Sequence, residues 1–539
     1  MATIELSKKE VLRLVGRSIP DRTLQERIPM LGFSLEALDR ETIALEVLPN
    51  RPDVLSEPGF ARALRSFLGI KTGMRNYEVR KGTYKVVVHK NLRAVRPSTA
   101  CSVVKDLKLD EGKLADIINL QEKLHGTFCR NRRKAAIGIY PMEKIQWPIT
   151  FEARQPSEIL FRPLDSDGAM SAAEILSLHQ KGRLYKHLLE GLQLYPVFAD
   201  AQGKILSMPP VVNSEEVGRI TTGTRDVFVE VSGFDLEYLK LCLNIVVTAL
   251  ADLGGKIYSV DVIYKKCVRT PDLRPRMIRL NLEYAGKILG IPLSMQKMVK
   301  LLGKMGYGFR NNSVLVPSYR ADVLHPVDVV EDLAIAYGYE RFTPEIPQIA
   351  TIGEEDSFSK FLGRVAHLVV GLGITEVSTH HLSKRELQEG FTKVLVAVEN
   401  SVSGEYNVLR GSLAPHLLHV FSSNKHHEYP QKIFEIGTVF HGIQEQVQLS
   451  VALTHTAANF TEIKQACDAV LSSLGLQASY KEAESNGFIS GRTADVVVQG
   501  KEIGIIGEVH PAVLQQFGLE MPVAAMELSV GGLFRFCLL

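Results

Sequence analysis

Apolar positions along the chain change their spacing repeatedly, and each change predicts a different element. Ser7 followed by Glu10 forms a capping box ahead of Val11, Leu12 and Val15, and Gly16 stops that helix. Glu46-Val-Leu-Pro-Asn-Arg-Pro-Asp53 cannot be helical, because two prolines flank Asn50-Arg51 and favour extended backbone. Ser56 then caps a helix that runs to Gly69. β-Branched runs at Lys85–His89 and Cys101–Lys105 predict strands. From Lys113 to Phe128 the residues Leu114, Ile117, Ile118, Leu120 and Leu124 share one side of a helix. Strands follow at Ala135–Tyr140, Ile205–Met208 and Val227–Val231, with a helix from Asp235 to Leu253.

Beyond Thr270-Pro271 the pattern shortens. Met277-Ile-Arg-Leu280 predicts a strand, Leu282–Leu289 and Met295–Lys304 predict helices closed by glycine, and Val314–Arg320 another strand. A helix is expected over Pro326–Tyr337, and Pro344, Pro347 and Glu354-Glu-Asp356 read as a linker. An amphipathic helix with Phe358, Phe361, Leu362, Val365 and Leu368 opens a strand-rich stretch. Strands there are expected at Val394–Val398, Ile433–Val439, Leu449–Thr454, Ala494–Val498 and Gly504–Val509. The fold class is therefore α+β and multidomain, with expected domains at 1–75, 76–265, 270–347 and 350–539.

Composition narrows the function. With 63 Lys+Arg against 60 Asp+Glu the net charge is +3, so nucleic-acid contact has to be a local patch. The most apolar stretch, Leu239–Leu253, carries Lys240, Asn244 and Asp252 and is too short to span a bilayer. No signal-like segment is expected at the start, and six scattered cysteines without a CxxC pair point to a reducing, cytoplasmic setting. The chain has no GxGxxG, P-loop, HExxH or GxSxG motif.

Three constellations carry candidate chemistry. Asp328, Glu331 and Asp332 stand at i, i+3 and i+4, with Asp322 on the loop leading in. An all-oxygen set suits Mg²⁺, while the same crowding also suits a helix macrodipole. Gln121-Glu-Lys-Leu-His125 runs into Arg130-Asn-Arg-Arg-Lys134, which reads either as a phosphate-binding helix end or as a solvated turn. Met208-Pro-Pro-Val-Val-Asn213 fixes extended backbone before an asparagine, as a cleft wall or an ordinary turn would.

Taken in order, these pieces resemble the β subunit of phenylalanyl-tRNA synthetase in its archaeal/eukaryotic form. The resemblance covers essentially the whole chain. It rests on Pro49-Asn-Arg-Pro-Asp53 with Gly59-Phe-Ala-Arg62, Leu120–His125, Pro209–Asn213, Pro317–Asp322 with Glu331–Tyr339, Leu409–Leu413, Phe434–Gly437 and Gly504–Pro511. It implies an α₂β₂ heterotetramer that joins L-phenylalanine to tRNA(Phe) with ATP and Mg²⁺, the synthetic site lying on the α subunit. It further implies a B3/B4-like editing domain, a small B5-like domain, and a class II synthetase-like antiparallel-sheet module that lacks the ATP-binding arginines. Membrane and DNA are not expected partners.

Residue by residue, the resemblance places Mg²⁺ at Asp322, Asp328, Glu331 and Asp332, and the editing pocket at Gln121, Glu122, Arg132 and Asn213. Editing suits these residue types: Glu122 can accept from the phenol of tyrosine, Asn213 can hold the ester or amine, and Arg132 can bind the tRNA 3′ end. Two other readings stay open on sequence alone. One is a stand-alone tRNA-binding or deacylating protein, the other a non-enzymatic scaffold whose carboxylates only cap helices.

Overall fold

Helix ends fall where a side chain can hold the first free amides. Ser7 accepts from Glu10 N at the head of Lys8–Val15, and Gly16 closes it at φ 81°. The expected box is only half made, because the Glu10 carboxylate turns outward to Arg13. Ser56 caps Glu57–Phe67 through Gly59 N, and Asp235 caps Leu236–Asp252. The structure, a computed structural model, describes residues 2–349, 351–392 and 394–537. Met1, Ala350, Lys393, Leu538 and Leu539 lie outside that description, and with them the first residue of the start segment and both ends of the 350–539 range.

The chain divides into two compact units, Met1–Glu345 and Ile346–Leu539. The first unit holds three main sheets. Ala2–Ser7 and Ser34–Leu38 flank Thr42–Val47 in a small antiparallel sheet, with Ile4 opposite Leu45. A ten-stranded sheet runs from Val212–Asn213 through Ile205–Met208, Tyr195–Ala199 and Ile149–Arg154 to Val79–Val88. It continues through Lys256–Ile263, Ser98–Lys105 and Val227–Gly233 to Ala135–Pro141, and the tenth strand, Cys267–Thr270, pairs with Lys256–Ile263 off this path. Val79–Val88 runs parallel to both of its neighbours, and the other pairings in this sheet are antiparallel. The third sheet, Arg276–Arg279, Ser313–Val316 and Gly308–Arg310, is joined by the helices Leu282–Leu289, Met295–Lys304 and Pro326–Tyr337. One apolar cluster runs from Ile4 and Leu45 through Leu243, Val246 and Leu250 to Leu302 and Leu333, so these sheets share a core.

The second unit is built on a seven-stranded sheet, antiparallel except where Thr375–Glu376 runs parallel to Gln431–His441. The helices Ser357–Gly371, Phe460–Ser473 and Val530–Cys537 supply apolar residues to its core, among them Val365, Cys467 and Leu533. The expected strand at Val394–Val398 is not formed. Only an isolated bridge joins Ala397 to Val408, with Val398 N bonded to Asn407 O and Leu409 N to Val396 O at 2.9 Å each, because the partner strand Val408–Leu409 is two residues long. Among the described residues no helix is long and apolar enough to cross a membrane.

Candidate functional site

Ala135–Pro141 is a terminal strand, so one of its edges lacks a strand partner. Two side chains one turn apart on the helix Glu111–Gly126 close that edge at Ile137. Gln121 Nε2 donates to Ile137 O at 2.9 Å, and Ile137 N donates to His125 Nε2 at 2.9 Å. Burial pushes the His125 imidazole down to about 4, keeping it a neutral acceptor. Gln121 is therefore a backbone clip.

Glu122 and Arg132 form the next layer. Arg130, Asn131 and Arg132 all have positive φ, a left-handed turn that exposes Arg130, Asn131 and Arg133 but sends Arg132 inward, to 6% exposure. There Arg132 Nη2 meets Glu122 Oε1 at 3.0 Å, while Nη1 donates to Pro210 O at 3.1 Å and Val211 O at 2.9 Å. Its guanidinium stacks 4.3 Å from the Tyr185 ring centroid. His125, Arg132 and Lys181 hold the Glu122 carboxyl down, to about 2. In this structure Arg132 spends its donors inside the protein, and Glu122, its side chain 43% exposed, pairs with Arg132 and Lys181. Together they pin the loop that leads to Asn213.

Asn213 faces a group that sequence reasoning missed. Tyr140, fully buried, has its hydroxyl 2.8 Å from Ser207 Oγ, 3.1 Å from Glu230 Oε1 and 3.5 Å from Asn213 Oδ1. Tyr140 lies on the strand at one end of the nine-strand path and Ser207 on the second strand from the other end, so the sheet curls until its ends meet. Glu230 is 2% exposed, and burial pushes its carboxyl up to about 8, with Arg96 pulling the other way. Burial favours the protonated carboxyl, and Tyr140 Oη donates to its Oε1. Glu230 Oε2 has no hydrogen-bond partner although it is buried. Gly138, directly across the ladder from Glu230, leaves the room: a Cβ there would sit 2.6 Å from Glu230 Oε1. A signal was present in the sequence, since Glu230 is a lone carboxylate in the apolar run Val227-Phe-Val-Glu-Val231.

Two groups in this layer give opposite pH dependences. Glu230 titrates near 8 when folded against an ordinary 4.5, so the folded state holds the extra proton between those values. Its contribution is present at low pH and lost as pH rises towards about 8. His125, lowered from 6.5 to about 4, destabilises as pH falls through that window. Glu230→Gln should therefore flatten the fall in melting temperature between about pH 6.5, above which His125 no longer opposes it, and about pH 8, and leave the acid limb in place, as melting scans across pH will show.

The four B5-region carboxylates are spread among different duties. Arg320, 3% exposed, takes Asp322 through both oxygens at 2.8 and 2.7 Å and Asp332 at 2.6 Å. Tyr307 also donates to Asp332. Asp328 Oδ2 accepts from Leu324 N and His325 N, both at 2.7 Å, and so caps its helix, while Glu331 is exposed. Among the described residues no three His, Cys, Asp or Glu side chains gather closely enough to hold a metal ion. As arranged, the set does not fit a shared Mg²⁺, because Arg320 neutralises two of its members.

In the second unit the motif arginine Arg410 is buried. It donates to Glu435 Oε1 at 2.7 Å, Thr379 Oγ1 at 2.9 Å and Thr438 O at 2.7 Å. Glu527 receives Leu413 N and Ala414 N at 3.0 Å each. The Leu409–Leu413 and Phe434–Gly437 motifs thus join strands to a helix start.

Comparison with known proteins gives this geometry a context. Residues 278–339 match the tRNA synthetase B5 domain family, and residues 343–530 match the phenylalanyl tRNA synthetase beta chain CLM domain. The phenylalanine–tRNA ligase beta subunit of Thermococcus onnurineus is 40% identical, with 99% of each chain covered. The chain belongs to the phenylalanine–tRNA ligase beta-subunit family. The Archaeoglobus fulgidus beta subunit is 39% identical, also over 99% of both chains. A crystal structure of an N-terminal fragment of the Pyrococcus horikoshii beta subunit is 39% identical with a TM-score of 0.60, covering 62% of this chain and 99% of the fragment. Membership makes the chain a component of an aminoacyl-tRNA synthetase, a ligase of protein biosynthesis, and sets aside both the scaffold and the stand-alone readings.

Proposed function

We propose that the chain assembles with a catalytic α subunit as a cytoplasmic α₂β₂ phenylalanine–tRNA ligase, with ATP and L-phenylalanine used on the α side. In this reading the curled sheet of the first unit proofreads tRNA(Phe) that carries tyrosine. A synthetic pocket shaped for phenylalanine rejects an added hydroxyl poorly, whereas a second pocket that hydrogen-bonds the hydroxyl inverts the test. The observation that carries this reading is the buried nest of Tyr140, Ser207, Asn213 and Glu230, in which one Glu230 oxygen lacks a partner. That oxygen would accept from the phenol, and the Asn213 amide would hold the ester end. Water adds to the ester carbonyl, and the ribose oxygen leaves with a proton. Arg132, Glu122 and Gln121 act as positioning residues.

The test is single-turnover hydrolysis of preformed tyrosyl-tRNA(Phe) by the assembled ligase. Asn213→Ala should slow it by roughly 10–100-fold, the effect of one or two lost hydrogen bonds in a buried site. Clearance at the wild-type rate would place the pocket elsewhere.

Magnesium at Asp322, Asp328, Glu331 and Asp332 remains a proposal supported by residue type alone, and it requires Arg320 to release a carboxylate. Mg²⁺ should then raise the melting temperature of the wild type but not of Asp328→Ala/Glu331→Ala. No response in the wild type would end the proposal.

A further inference from the structure

Six cations, Arg51, Arg62, Arg65, Lys71, Arg75 and Arg320, line one cavity of about 420 Å³ in the first unit. They come from the turn and helix around 51–66, the segment 71–76 that follows it, and, more than 200 residues on, the loop before the helix Pro326–Tyr337. Asp53 is the one carboxylate in the wall. Behind the wall stand Asp252, Asp322 and Asp332. Asp53 takes Arg51 through both oxygens at 2.9 and 3.0 Å. Asp252 is shared by Arg62 and Arg75, at 2.7 Å each. Asp322 and Asp332 both serve Arg320.

Six cations thus face four carboxylates, an excess of two positive charges. Arg65 and Lys71 pair with no carboxylate among the described residues, and the buried Arg65 Nε has no hydrogen-bond partner at all. The bonds to Asp53 use Nε and Nη2 of Arg51, and those to Asp322 and Asp332 use Nε and Nη2 of Arg320. Nη1 of each therefore remains available. Arg51 and Arg62 are each 8% exposed and Arg320 is 3% exposed, so this charge is held out of bulk water, where counter-ions screen it less.

We propose that the cavity binds a phosphate group carrying about two negative charges, as in a phosphate monoester or a diphosphate. Planar guanidinium forks match tetrahedral phosphate oxygens through paired N–H donors, and a dianion cancels the excess left by the four carboxylates. A volume of about 420 Å³ admits a phosphate with a small substituent. An occupant would bridge all three stretches and so couple the N-terminal sheet to the segment 276–339. This inference does not depend on the proofreading reading.

The test uses the assembled ligase with inorganic phosphate and pyrophosphate as probes, titrated calorimetrically and by melting at constant ionic strength set with chloride. Wild type should bind and melt higher as either probe is added, since a ligand that binds only the folded state stabilises it. Arg65→Ala/Lys71→Ala removes two cations that hold no ion pair and should weaken binding by roughly tenfold or more. Arg65→Gln serves as a milder variant should the pair fold poorly. A second arm identifies the source of the phosphate in the cell: displacement of the probe by saturating tRNA marks a backbone phosphate as the occupant, and undiminished binding to the tRNA-loaded ligase marks a small phosphorylated ligand. Equal titrations for wild type and both variants, or no binding of either probe, would overturn the proposal.

Discussion

Arg410→Ala should unfold the second unit at temperatures where the wild type is intact. The side chains of Arg410 and Glu435 are 2% and 3% exposed, and they meet at 2.7 Å. Removing the cation leaves Glu435 buried without its counter-charge, and Thr438 O loses its donor. Breaking a buried pair on one side costs about 3–5 kcal/mol, a large share of a domain's total stability. Arg410→Met combined with Glu435→Leu should recover much of the loss, because no orphaned charge remains. Thermal melting of the two variants against wild type decides it, and equal losses in the single and double variants would contradict the account.

Arg132→Ala should damage hydrolysis whichever amino acid the tRNA carries. Arg132 fixes Pro210 O and Val211 O, so its loss frees the loop that carries Asn213. Each buried carbonyl left without a donor costs about 1–3 kcal/mol, enough to move a positioned side chain out of register and slow the reaction by roughly 10–100-fold. Arg132→Lys should not rescue it, since an ammonium cannot reach two carbonyls and Glu122 with one planar fork. Glu122→Ala should do less, because Arg132 keeps both carbonyls without it. Deacylation rates for tyrosyl- and phenylalanyl-tRNA(Phe) separate these outcomes: selective loss of tyrosine hydrolysis in Arg132→Ala would make it a recognition residue instead.

Local chemistry was readable from the chain. The helices at Leu282–Leu289, Met295–Lys304 and Pro326–Tyr337 begin and end where caps and apolar spacing place them. The candidate site was readable only in part. Asn213 stood out after its prolines, and Glu230 left a signal as a lone carboxylate in an apolar strand, but Ser207 and Asn213 reach Tyr140 and Glu230 only because the sheet curls, a long-range fact with no local trace. Arg132 misled for a physical reason. An arginine-rich run reads as a solvated surface, and only the left-handed turn at 130–132 reveals that one of its members points inward. Among the carboxylates, the i, i+3, i+4 spacing was right and the shared face was not, because Arg320 lies close enough to draw Asp332 into the core.

The central claim is that the buried nest around Glu230 reads the tyrosine hydroxyl. Its most direct test is the ratio of tyrosyl- to phenylalanyl-tRNA(Phe) hydrolysis by the assembled ligase carrying Glu230→Met, with Glu230→Gln as the variant that keeps an acceptor. The account predicts that Glu230→Met lowers the ratio by roughly 10–100-fold, through tyrosine hydrolysis alone, and that Glu230→Gln retains part of it. A ratio unchanged in Glu230→Met, with the protein folded, would contradict it.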